Sequence, residues 1–101
     1  DRCGGPQTID DLVSAASRPG QDVYADTSPA RLPPPAAPVV VISGALDPIV
    51  PPSFGPPFAR RWAARDIAID GAGHFELIDP TSAAWTAVIA PEIERLLSTR
   101  P

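Results

Sequence analysis

An aspartate and the chain's one histidine stand where an acid–base pair could form. Asp47 falls in Gly44-Ala45-Leu46-Asp47-Pro48-Ile49-Val50-Pro51, and His74 falls in Gly71-Ala72-Gly73-His74-Phe75. A carboxylate beside an imidazole fixes the ring tautomer and stabilises the imidazolium, which is what a nucleophilic hydrolase needs from its acid and base. Each residue alone has an ordinary explanation. An aspartate before a proline is commonly turn chemistry, and a single histidine is commonly a surface or satisfied residue. The case for chemistry is that each stands just past the end of a predicted strand.

Those strands are the elements that must position the pair. Val39-Val40-Val41-Ile42-Ser43 is a β-branched run without alternation, which predicts a strand buried on both faces of a parallel sheet. Asp66-Ile67-Ala68-Ile69-Asp70 alternates with period two and predicts a second strand. Phe58 to Ala64 predicts a short helix between them, so the unit is a right-handed parallel crossover. In open α/β sheets ligands bind at the carboxyl ends of the strands. Neighbouring strands lie about 4.8 Å apart, so the two loops share one edge and an Asp–His hydrogen bond is geometrically easy.

A longer helix follows, with Asp79 as the expected N-cap and Pro80 at its first position. Trp85, Val88, Ile89, Ile93, Leu96 and Leu97 form one apolar stripe, and Pro91 predicts a kink or break near residues 87–91. Upstream, Thr8 is the expected cap of a short helix reaching Ala16, with Asp10 and Asp11 in its first turn. Pro19-Gly20 ends it, and residues 20–37 read as an extended loop. The fold class is therefore α/β. Residues 1–37 form a helix and a proline-rich connecting segment, and residues 38–101 form the segment carrying the acid and the histidine.

Fifteen prolines in 101 residues is about three times ordinary usage. They cluster at Pro29–Pro38 and Pro48–Pro57, bounding the first strand on both sides. Two strands do not make an independently stable parallel sheet. That shortfall, with the absence of methionine and the abrupt opening Asp1-Arg2-Cys3-Gly4-Gly5, leads to the expectation that the chain is a piece of something longer.

The net charge is −4 and all eight cations are arginines. There is no basic stripe of the kind nucleic acid requires. Arg61 and Arg65 share a helix face, and with Arg60 they read as a solvated surface rather than an anion site. No apolar window approaches the roughly 18 residues of a membrane span. One cysteine, Cys3, excludes an internal disulfide and fits a reducing compartment, so a cytoplasmic setting is expected. An uncovered sheet edge would favour self-association.

At this point a family resemblance becomes visible. Gly44-Ala45-Leu46-Asp47 followed by Val50-Pro51 resembles the acid-bearing motif of α/β-hydrolases, and Gly71-Ala72-Gly73-His74-Phe75 resembles their histidine loop. The continuation Glu76-Leu77-Ile78-Asp79-Pro80 with Trp85 resembles the esterase and arylformamidase-like branch, as do Tyr24, Ser28-Pro29 and Leu32 upstream. The likeness covers residues 24–97 and is most specific over 71–85. It implies the C-terminal strand–helix–strand–helix part of an α/β-hydrolase sheet, with Asp47 as triad acid and His74 as base. It also implies a small ester or amide as substrate, an acyl-enzyme intermediate and no metal or organic cofactor. Phe75 becomes a candidate substrate-binding residue.

The chain departs from the family at the nucleophile. Members carry a Gly-x-Ser-x-Gly elbow upstream of the acid, and this sequence has none. Ser43 lies inside the strand, Ser28 and Ser53 abut prolines, and Ser14 and Ser17 fall on the first helix. Ser82 reads as first-turn helix chemistry, and Ser98 ends the last helix. Cys3 has no preceding strand to form an elbow and reads as a loop residue resembling a Gly-Gly-Pro turn of the family. Asp70 and Glu76 read as solvated or capping groups, and Phe54, Phe58 and Trp62 as core or pocket wall. The expected function is thus the acid–base part of a serine hydrolase, inert or nearly so by itself. The alternative is a non-catalytic remnant or interaction module of the same fold.

Overall fold

The computed structural model describes residues 5–98, so the expectation for Cys3 lies outside the described residues. The chain divides into two compact units, Asp1–Pro34 and Pro35–Pro101. Among the described residues no helix is long and apolar enough to cross a membrane.

The first unit holds helix α1, Pro6–Leu12. It starts two residues before the expected cap. Pro6 occupies the first turn, where a fixed φ suits a helix and a missing N–H leaves nothing unsatisfied. Thr8 therefore lies inside the helix, and Asp10 and Asp11 fall in its last turn instead of its first. Beyond Leu12, Ser14 adopts a left-handed conformation (φ 59°) and a 3₁₀ turn covers Ala15–Ser17. Residues 20–34 are not extended as expected. They wind through successive turns into a 3₁₀ turn at Pro29–Arg31. Two ion pairs within the unit, Arg18–Asp26 at 3.0 Å and Arg31–Asp22, cross-link those turns.

The second unit has mixed α/β character. Strand β1, Val40–Gly44, pairs in parallel with β2, Arg65–Ile69, and the register runs from Val40 opposite Arg65 to Gly44 opposite Ile69. Helix α2, Gly55–Arg61, makes the crossover. It begins earlier than the expected Phe58, because Pro56 and Pro57 are pre-set for a first turn. It stops at Trp62, followed by Ala63 at φ 51°. Gly55 lets α2 approach the sheet: a Cβ there would lie 2.5 Å from Asp66 Oδ1 and 3.2 Å from Ser43 Oγ.

The opposite sheet face carries Ile42, Ile67 and Ile69, and these pack with Ala72, Leu77, Ala84, Trp85, Val88 and Ile89. The unit is thus a helix, a two-stranded sheet and a second helix in layers. The second helix is capped by Ser82 and not by Asp79. The Ser82 hydroxyl accepts the Trp85 N–H at 3.1 Å, while Asp79 is engaged by the Thr81 N–H at 2.9 Å and the Thr81 hydroxyl at 2.7 Å. Pro91 causes no break. The turn before it widens into a π-helical stretch, Trp85–Ile89, in which the Ala90 N–H reaches back to the Trp85 carbonyl, and helix α3 continues over Ala90–Ser98. A wider turn relieves the clash of a proline ring with the carbonyl four residues back.

Two expectations about burial are corrected. Val40–Ser43 is only half-buried, because among the described residues no further strand flanks the pair. The apolar stripe also divides: Ile89 is buried, but Ile93 is 42% and Leu97 71% exposed. A five-residue strand spans about 16 Å, whereas the helical residues 83–98 extend about 24 Å. The far end of the helix therefore outruns the sheet that could cover it.

Candidate active site

Three backbone bonds fix the chain beyond β1: one to the end of β2, one to the histidine loop and one that closes the acid turn on itself. The Ala45 N–H donates to Ile69 O (3.0 Å), Leu46 N–H to Ala72 O (2.9 Å) and Asp47 N–H to Gly44 O (3.1 Å). The join is close enough to exclude a side chain at Gly44. A Cβ at that position would lie 2.6 Å from Ala72 O and 2.7 Å from Gly73 O, both backbone atoms. Glycine ends β1 because the loop bearing His74 passes directly over it.

This arrangement places Asp47 and His74 side by side. The Asp47 side chain is 2% exposed and that of His74 35%. Asp47 Oδ1 accepts the N–H groups of Ile49 (2.8 Å) and Val50 (2.9 Å). Pro48 lacks an N–H, so the next two amides of the turn are the ones free to reach back. Asp47 Oδ2 lies 2.9 Å from His74 Nδ1. Burial pushes the Asp47 carboxyl up. The hydrogen bonds from Val50, His74 and Ile49 and the charge of His74 outweigh that, and hold it below its ordinary value of 3.8. An ionised carboxylate at Nδ1 accepts a hydrogen bond from Nδ1–H, so the proton of the neutral ring stays there and Nε2 keeps its lone pair.

Phe75 follows with its ring edge-on to His74, centroids 5.1 Å apart at 88°. It is 67% exposed. Leu46, Val50, Phe54 and Ile78, on the same two loops and the turn after them, are exposed as well. Asp70 and Glu76 are exposed and line a shallow cleft of about 120 Å³ with Gly71, Ala72 and Ser82–Ala84. Phe58 on α2 and Trp62 just past its end pair with each other, centroids 4.6 Å apart. Among the described residues no serine hydroxyl is hydrogen-bonded to the His74 ring, and no group of three or more His, Cys, Asp or Glu side chains is placed to hold a metal ion.

Sequence reasoning missed what anchors the acid. The amides of Ile49 and Val50 are its partners, and the only local signal was an aspartate followed by proline. It also missed a second buried carboxylate. Glu92 on α3 accepts from Arg65 Nη1 at 2.6 Å and Arg95 Nε at 2.9 Å, tying the helix to the start of β2. No known family model, curated protein or solved structure matches this chain.

Proposed function

We propose that this chain is the acid–histidine portion of a serine α/β-hydrolase. Its parent would hydrolyse small carboxylic esters or amides through a Ser-His-Asp triad. Asp47 is the acid, His74 is the base, and the nucleophile and oxyanion hole come from sequence outside this chain. The observation that carries the reading is the 2.9 Å Asp47–His74 hydrogen bond at the carboxyl ends of adjacent parallel strands, made by an aspartate whose other oxygen is already fixed by two amides. The base of a triad requires that arrangement, since it must accept a serine proton on one nitrogen while the other is held. On this reading Nε2 of His74 and the neighbouring exposed Phe75 would face the place where serine and substrate meet.

An interaction module is the second reading, favoured by the exposed Leu46, Phe54, Phe75 and Ile78. The first of two measurements separates the readings, and the second tests the assignment as a portion without a nucleophile. The gene upstream of the Asp1 codon is expected to encode, in frame, a strand followed by Gly-x-Ser-x-Gly; a stop codon immediately upstream contradicts the triad. The chain alone is expected to escape labelling by a serine-reactive fluorophosphonate and to leave alkyl esters uncleaved, because a triad without its nucleophile loses orders of magnitude in rate. Labelling of the isolated chain overturns its assignment as the portion without a nucleophile.

A further inference from the structure

We propose that His74 Nε2 is itself a nucleophile toward activated aryl esters, giving this chain a slow acyl hydrolysis that needs no serine. The proposal rests on the Asp47–His74 pair and on no other part of the triad reading. Imidazole attacks carbonyl carbon through an unprotonated nitrogen, and a rotating, solvated histidine divides its proton between both. Here the proton is held on Nδ1 by a buried carboxylate, so the lone pair is confined to Nε2. The hydrogen bond to the carboxylate also raises electron density on the ring. The His74 side chain is 35% exposed, and the ring nitrogen engaged by the buried carboxylate is Nδ1.

Phe75 points to the leaving group. Its ring stands edge-on to the imidazole and two-thirds of the residue is open, so an aromatic ester can lie against it while its carbonyl meets Nε2. Activated aryl esters are also the class an imidazole can cleave, because a nitrophenoxide-like aryloxide departs from the tetrahedral adduct about as readily as the imidazole does, and an alkoxide does not.

The Nε2 lone pair forms a bond to the ester carbonyl carbon, and the C–O bond to the aryl group breaks, sending its electron pair out on the aryloxide. The Nε2-acyl-imidazolium keeps its Nδ1 proton against Asp47. Water then adds to the acyl carbon, one of its protons is taken up by solvent or aryloxide, and the N–C bond breaks to return the neutral ring and release the carboxylic acid.

The chain suits a direct test, because it has one histidine, one cysteine and no lysine. Nitrophenolate release from p-nitrophenyl acetate is measured for the wild-type chain and for His74→Gln, Asp47→Asn, Phe75→Ala and Cys3→Ser, with Trp62 and Trp85 fluorescence reporting the fold. Release above buffer is expected for the wild type and Cys3→Ser. It falls to the buffer background in His74→Gln and several-fold in Asp47→Asn; Phe75→Ala weakens KM more than kcat. Intact mass after acid quench shows one acetyl group on the wild type and none on His74→Gln. Undiminished release from His74→Gln, loss of release in Cys3→Ser, or a wild-type chain that turns over without an acetyl adduct overturns the proposal. If His74→Gln does not fold, location of the acetyl group on the wild-type peptide containing His74 decides the matter. None of these readouts involves a serine, so the proposal can fail while the triad reading stands, and the reverse.

Discussion

Two corners of the second unit bury a carboxylate, and they do it by opposite means. Glu92 sits between two guanidinium groups, Arg65 and Arg95, whose charge is permanent at any pH a protein meets. Asp47 is held by two neutral amides and an imidazole. The Glu92 cluster can only stay as it is or break. At Asp47 one partner can gain or lose a proton while the other two keep the carboxylate in place. Burying an acid against arginines makes a clamp; burying it against backbone and histidine makes a device that can move a proton. On the proposed triad reading, the contrast separates structural from chemical use of the same functional group.

The sharpest way to break the comparison is at Gly44. A methyl group there meets the Ala72 and Gly73 carbonyls, so Gly44→Ala must push the histidine loop off β1. The expected loss is about 2–3 kcal/mol in urea unfolding, with the Asp47–His74 bond lost as well, while the Glu92 clamp survives. Next in size, Glu92→Ala leaves two half-exposed arginines without their shared partner. About 1–2 kcal/mol of stability should disappear, and the loss should shrink in high salt. The reactivity of His74 should not change, which is what marks the clamp as structural.

A smaller effect sharpens the comparison through pH. The folded Asp47 carboxyl lies below 3.8 and the unfolded one near that value. Between the two values the unfolded chain takes up the proton first, so acid favours unfolding there. The stabilisation is fully present above the unfolded value and is lost as pH falls through the folded one. Asp47→Asn removes that dependence. The stability gap between wild type and variant should be steady from neutral pH down to about pH 4 and close below it, as followed by thermal melts across the acid range.

Much of the candidate site was legible because the signals that place it are local. Glycines and prolines punctuate both strand ends, and strand order alone makes the two loops neighbours. Asp47 and His74 could therefore be singled out before any coordinates. What was illegible depends on partners distant in sequence or on competition between similar residues. Glu92 looks like an ordinary solvated helix residue until Arg65, 27 positions away, is brought against it. Asp79 and Ser82 are both good caps, and only the capture of Asp79 by Thr81 gives the helix to Ser82. Pro91 signals an interrupted helix, but not that a π-helical turn absorbs it. Gly44 reads as a strand terminator, and the reason it cannot be alanine is the loop lying across it.

The claim on which the rest depends is that Asp47 holds the His74 proton on Nδ1 and leaves Nε2 free. With one histidine in the chain, nitrogen-15 NMR of the imidazole reports it without ambiguity. For the neutral ring, the spectrum should show a protonated Nδ1 with a strongly deshielded proton and an unprotonated Nε2. Asp47→Asn should remove that proton signal and shift the tautomer toward Nε2–H. A wild-type ring protonated on Nε2, or one indifferent to Asp47→Asn, contradicts the account.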